Sequence, residues 1–189
     1  MVGVVLAGGS GSRMASAGSS KPAVPIAGRP MIGWPLDALQ VVCPRVAVVC
    51  KAATELPSLP DGIERWNEPD EPRHPLTGIV FALQRTQADV LVCAADMPFV
   101  DAGALRALVA AAAAAPGALA VVAFAAGRLD PALAVYRQAA LRRLGGAGVD
   151  APLTRTVEGL EPVRVALAVE VVRSVNTPAQ LAAAEAELA

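Results

Sequence analysis

Three segments place residue types where they can do phosphate chemistry. Leu6-Ala7-Gly8-Gly9-Ser10-Gly11-Ser12-Arg13-Met14 leaves an apolar run near the N-terminus. Glycines in such a loop let backbone N–H groups approach an anion without interference from Cβ, which makes an anion-seeking nest. On glycines alone, an ordinary turn explains the segment equally well. Arg13 adds a planar fork for phosphate oxygens and Lys21 a point charge; the competing reading is two solvated loop cations. The second segment, Cys93-Ala94-Ala95-Asp96-Met97-Pro98-Phe99, sets an acid at the tip of the apolar run Val90–Cys93. A strand-end carboxylate facing phosphates suits Mg²⁺, which takes one or two carboxylates with phosphate oxygens and water. A turn or cap role would need the same residue. The third, Ser174-Val175-Asn176-Thr177-Pro178, reads first as a capping turn before the last helix.

Two common cofactor loops do not fit. A P-loop ends Gly-Lys-Ser/Thr, whereas this one reaches Gly11-Ser12-Arg13. A dinucleotide fold wants an acid at the end of the second strand, and that strand ends Val48-Val49-Cys50-Lys51.

The elements that must carry these segments alternate. Val2–Leu6 precedes Met31–Val41, Val46–Cys50 precedes Leu76–Arg85, Val90–Cys93 precedes Ala102–Ala115, and Leu119–Phe124 follows. Such alternation predicts an α/β fold, a mostly parallel central sheet with helices on both faces. Continuously apolar strands agree with a doubly covered sheet. Ligands of open α/β sheets gather at the C-terminal edge, where the glycine loop and Asp96 would meet. Asp101 is placed to cap the helix from Ala102, Pro116–Gly117 to stop it, and Thr177–Pro178 to start the last one. Beyond Phe124 the pattern loosens. Ala132–Leu144 reads as a helix, Gly145–Gly148 as a break and Val163–Val172 as a valine-rich stretch, together an insertion packed beside the main sheet. One domain is expected over residues 1–189, with 1–126 as the nucleotide-binding part and 127–189 as an acceptor-side part and C-terminal helix.

Composition narrows the function classes. The 189 residues are 54% hydrophobic, yet no run approaches the roughly 20 apolar residues of a membrane span. The chain starts directly on an apolar strand without a secretory pattern, so a cytoplasmic protein is expected. With a formal charge of −1 and basic clusters no larger than Arg142–Arg143, it lacks the electrostatic footprint of a nucleic-acid binder. Cys43, Cys50 and Cys93 have no metal-ligand spacing and read as buried small hydrophobes. His74, the single histidine, reads as a surface loop residue.

Taken together, Leu-Ala-Gly-Gly-x-x-x-Arg-Met with Lys21 after it resembles the signature loop of nucleotidyltransferases that activate sugars, isoprenoid precursors and the molybdenum cofactor. With Asp96-Met97-Pro98, Pro75-Leu76-Thr77-Gly78 and Asn176-Thr177-Pro178, the set resembles the molybdenum cofactor guanylyltransferases from Val2 to about Leu181. That resemblance implies a Rossmann-like nucleotidyltransferase that binds Mg-GTP, transfers GMP to the terminal phosphate of molybdopterin and releases pyrophosphate. It implies nucleotide contacts from Leu6, Ala7, Gly8, Gly9, Asn67 and Gly78, phosphate contacts from Arg13 and Lys21, and a metal ligand, Asp96; Arg13, Lys21 and Asp96 form the catalytic set. Asn176 would lie near the metal or the acceptor, and Gly127–Leu133 on the acceptor side. Molybdoenzymes or their chaperones are further partners it suggests. The acid that would read guanine's N–H donors is Asn67 here, with Glu68 next to it, and Ser174 replaces the first Asn of the usual Asn-x-Asn-Thr-Pro. Rival readings are a related enzyme using CTP or a sugar phosphate, an inactive nucleotide-binding delivery partner, and a nicotinamide oxidoreductase, which Lys51 disfavours.

Overall fold

The computed structural model describes residues 1–8 and 20–189. Its centre is β1 (Val2–Leu6), whose first four residues are buried because both faces of the strand are covered. Parallel neighbours flank it: β4 (Val46–Cys50), all five residues buried, and β6 (Val90–Ala94). Between β1 and β4 lie a small hairpin, β2 (Pro25–Ile26) with β3 (Arg29–Pro30), and helix α1 (Gly33–Val42). β5 (Ile63–Asn67) extends the sheet beyond β4, and α2 (Pro75–Thr86) crosses back to β6. Then follow α3 (Ala102–Ala114), β7 (Ala120–Ala125), β8 (Arg128–Tyr136), α4 (Leu141–Gly145), α5 (Leu153–Glu158), β9 (Val163–Ala166) and α6 (Pro178–Leu188).

The sheet order is β5-β4-β1-β6-β8-β7-β9. Among its described strands only β8 runs against the others, pairing antiparallel with β6 and β7, while β9 is parallel to β7. The strand period of two sends Val5 and Val48 to one face and Val4 and Val49 to the other. Leu36, Leu39, Leu105 and Leu108 of α1 and α3 cover the first face. Ile79, Leu83, Leu144 and Val157 of α2, α4 and α5 cover the second. Each such leucine or isoleucine contributes about 2 kcal/mol of apolar burial before entropy is counted. The α/β architecture is therefore the expected one. No described helix is long and apolar enough to cross a membrane.

Helix limits follow the capping chemistry. The Asp101 carboxylate accepts the Ala104 N–H at 2.8 Å, and Thr177 Oγ1 accepts the Gln180 N–H at 3.2 Å with Pro178 at the first helical position. α3 ends just before Pro116–Gly117. His74 is the cap of α2, its Nδ1 accepting the Leu76 N–H at 3.2 Å. All three cysteines are free and buried.

Two expectations fail. The helix read over Ala132–Leu144 is β8 followed by a short helix that starts only at Leu141, and the segment enters the main sheet instead of packing beside it. Leu133–Tyr136 is buried on both faces between β6 and β7, and an apolar run of that kind has no periodicity to separate strand from helix. Pro131 fits a central strand because the pairing with β7 shifts there: Ala134 faces Val122, yet Asp130 faces Ala123. Tyr136 Oη donates to the Pro131 carbonyl at 2.7 Å and holds the bend. The valine-rich stretch Val163–Val172, read as part of the same insertion, likewise supplies β9 to the sheet beside β7, and the sequence left unread β5, an edge strand of mixed polarity whose Trp66 alone is fully buried.

Candidate active site

Lys21 opens a short helical turn, Lys21–Ala23, directly before the hairpin. Its Nζ donates to Asp96 Oδ2 at 2.5 Å and to Asn176 Oδ1 at 2.6 Å. Asp96 and Asn176 lie 75 and 155 positions beyond Lys21 along the chain, and packing brings the three together. Val24, Ile26 and Met31 share an apolar cluster with Val175 and with Ala184 of α6, so the lysine turn and the asparagine loop rest on one another. The Val175 N–H donates to the Asp96 carbonyl at 2.8 Å, which ties that loop to the tip of β6. The Ala95 N–H donates to the Leu6 carbonyl at 3.0 Å and the Ala7 N–H to the Val49 carbonyl at 2.8 Å, so β1 stays paired with both neighbours up to the glycine loop. All these groups lie at the C-terminal edge of the parallel strands.

Asp96 and Asn176 present oxygens that already converge on a cation, the Lys21 ammonium. A carboxylate and an amide oxygen are hard donors of the kind Mg²⁺ or Mn²⁺ accepts, with phosphate and water completing the shell. The residues fit a divalent ion on that ground. No group of three or more His, Cys, Asp or Glu with metal-ligating geometry occurs among the described residues. Asp130 belongs to the same edge. Burial, with the nearby Asp96 carboxylate adding to it, pushes its carboxyl above the usual carboxylate range.

The other half of the site lies between β1, β4 and α2. Asn67 is exposed, and its Oδ1 accepts from Arg65 Nε at 3.1 Å. Glu68, one residue on, is the buried one: its side chain is 5% exposed and sits between two glycines. A Cβ on Gly8 would overlap Glu68 Oε1, and one on Gly78 would fall 2.9 Å from Leu6 Cδ2 and 3.1 Å from Glu68 Oε2. Among the described residues Glu68 Oε2 has no hydrogen-bond partner, and burial drives the carboxyl upward against the opposing pull of Lys51. An orphaned buried carboxylate oxygen is costly unless something donates to it. The residue pattern marked Gly8 and Gly78 but put the base contact on Asn67; the one-residue alternation of strand faces assigns the buried carboxylate to Glu68. Gly9 and Arg13 lie outside the described residues.

The Gly8 contact has a measurable consequence. Gly8→Ala should lower the thermal midpoint, whereas the same change in a Glu68→Ala background should cost far less, because the atom in the way has gone. Contacting residues couple by about 0.5–3 kcal/mol, and each kcal/mol moves the midpoint of a domain this size by about 2–4 °C. Thermal denaturation of the four proteins measures the coupling, and strictly additive shifts would mean that Gly8 and Glu68 do not touch.

Comparison with known proteins agrees with this geometry. A family model described as the MobA-like NTP transferase domain matches residues 3–184. The chain belongs to that family. It is thus a member of a nucleotidyltransferase family with a Rossmann-like fold, as its sheet and helices indicate. The molybdopterin-guanine dinucleotide biosynthesis protein A of Archaeoglobus fulgidus is 25% identical, covering 100% of this chain and 98% of its own, with a TM-score of 0.73. The 2-C-methyl-D-erythritol 4-phosphate cytidylyltransferase of Thermus thermophilus shares the fold at 22% identity, 98% coverage of each chain and a TM-score of 0.68. So does Rv0371C of Mycobacterium tuberculosis H37Rv in complex with manganese, at 18% identity, 98% and 97% coverage and a TM-score of 0.72. No curated protein matches the sequence.

Proposed function

We propose that this protein transfers GMP from GTP to the terminal phosphate of molybdopterin, releasing pyrophosphate, with Mg²⁺ at Asp96. The observation that carries the reading is the Lys21 ammonium held between Asp96, at the C-terminal tip of β6, and Asn176. An oxygen of the acceptor phosphate forms a bond to the α-phosphorus of GTP while the bond from that phosphorus to the bridging oxygen breaks, and pyrophosphate leaves with the electron pair. The nucleophile is already an anion, so no general base is needed. Bound Mg²⁺ supplies neutralisation of the triphosphate charge. Lys21 and, from the sequence pattern, Arg13 neutralise the charge that builds on the leaving group. Residues 1–126 would hold the nucleotide and residues 127–189 the acceptor, with Asp130 and Asn176 on that side.

Guanine is supported by Glu68. Its free oxygen accepts an N–H, and guanine presents donors at N1 and N2 on one edge. Molybdopterin is supported by what the Archaeoglobus relative is called, at 25% identity over the whole chain. Guanine offers two adjacent donors where adenine, cytosine and uracil each offer one, and a hydrogen bond to a charged group contributes about 1.5–3 kcal/mol, so GTP should be preferred to ATP, UTP and CTP by roughly 10-fold or more in kcat/KM. Competition between triphosphates, read as acceptor-dependent pyrophosphate release, measures this. Equal or better use of CTP would move the assignment to a cytidylyltransferase, since the cytosine amino group can also satisfy one free oxygen. GTP binding without acceptor-dependent pyrophosphate would leave a sugar-phosphate acceptor or a delivery role.

A further inference from the structure

Lys51 follows β4 directly, and its side chain is 12% exposed. Its Nζ lies 3.3 Å from Glu68 Oε1, 2.5 Å from the Pro69 carbonyl and 3.4 Å from the Pro72 carbonyl. The ammonium therefore engages one carboxylate oxygen and the backbone just after it, while Glu68 Oε2, against Gly78, is buried without a partner among the described residues. A carboxylate held by one oxygen is a directional acceptor. We propose that Lys51 is a positioning residue for base recognition: it fixes Glu68 through Oε1 so that Oε2 receives an N–H donor from the nucleobase. The assignment rests on the nucleotidyltransferase reading of the site and deepens it.

Charge is what separates this role from a backbone staple. Among the described residues, the Glu68 carboxylate lies against Gly8, Gly78 and the Lys51 ammonium, and of these only Lys51 is ionisable; Leu6 and Val49, which pack against Gly78, are apolar. Burial pushes the Cys50 thiol up, and the Glu68 carboxylate adds to it. Arg65 is directed to Asn67 and to the carbonyls of Lys51, Ala52 and Thr54. Burial raises this carboxyl, and among the described residues Lys51 is the cation that opposes it. As pH falls through the Glu68 pKa, the acceptor is lost and base binding weakens. Without Lys51, burial acts unopposed and the loss begins at higher pH.

The test is calorimetric titration of GTP between pH 6 and pH 8.5 into the unaltered protein, Lys51→Gln, Lys51→Arg and Glu68→Gln. Glutamine at residue 51 can still donate to the two carbonyls but carries no charge. Titration of the triphosphate itself is common to all four proteins and cancels between them. Lys51→Gln should lose about tenfold more affinity between pH 8.5 and pH 6 than the unaltered protein, Lys51→Arg should restore most of that difference, and Glu68→Gln should bind weakly with no added pH dependence. A folded Lys51→Gln with the unaltered pH profile overturns the proposal, as does full GTP affinity in Glu68→Gln. If the unaltered protein binds no nucleoside triphosphate at any pH, the nucleotidyltransferase reading falls and takes this one with it.

Discussion

Asp96→Asn is expected to remove turnover almost entirely while the protein stays folded. The carboxylate stands at the tip of β6, where the backbone is fixed by Leu6 on one side and Val175 on the other. Neither contact uses its side chain, so the amide should keep the main-chain geometry. What changes is charge. An amide oxygen is a weaker ligand for a hard divalent ion than a carboxylate, and loss of metal-borne charge stabilisation is worth several kcal/mol in the transition state. A loss of about 3 kcal/mol corresponds to roughly 10²-fold in rate. The cost to stability should be small. The ion pair with Lys21 has side chains 17% and 22% exposed, and partly solvated pairs contribute about 0–1 kcal/mol. Three measurements separate the possibilities: pyrophosphate release at limiting Mg²⁺, Mn²⁺ binding followed by electron paramagnetic resonance, and thermal denaturation. Near-normal turnover and Mn²⁺ affinity in a folded variant would take the metal away from Asp96.

The same three residues show what spacing can and cannot reveal. Asp96 after an apolar run and Lys21 after a glycine loop could be singled out from the chain because the residue types are restrictive. Their meeting at 2.5 Å was not legible, since it depends on a sheet order that carries the chain from β1 out to β5 and back to β6. Valine-rich strands read clearly where both faces are buried. β5 did not, because Ile63-Glu64-Arg65-Trp66-Asn67 forms an edge with a single apolar residue, Ile63 or Trp66, on each face. β8 was misread because a short buried run of Leu, Ala, Val and Tyr has no period of its own. Glu68 and Lys51 were hidden in another way. Charged residues near a strand end are usually solvated, and nothing along the chain announces that Glu68 lies behind Gly8 and Gly78.

Lys21→Ala should separate an enzyme from a carrier. In the structure the ammonium bridges Asp96 and Asn176, and on the proposed reading it faces the charge that develops on the triphosphate. A donor aimed at a developing charge interacts more strongly with the transition state than with bound substrate, and its removal lowers kcat more than it weakens binding. Loss of one preorganised donor typically costs about 10²–10³ in kcat. The fold should persist, since Lys21 contributes a side chain to the surface of the site and the apolar cluster of Val24, Ile26 and Met31 holds the turn independently. GTP affinity by calorimetry, set against the rate of pyrophosphate release at saturating GTP and acceptor, gives the two quantities. An enzyme shows a rate loss at least about ten times larger than the loss in affinity. A protein that only binds and delivers nucleotide shows the reverse: affinity falls on substitution, and the unaltered chain releases no acceptor-dependent pyrophosphate. Equal losses in binding and rate would mean that Lys21 holds GTP without favouring the transition state, and the stabilisation of the leaving group would then rest on the bound metal and Arg13.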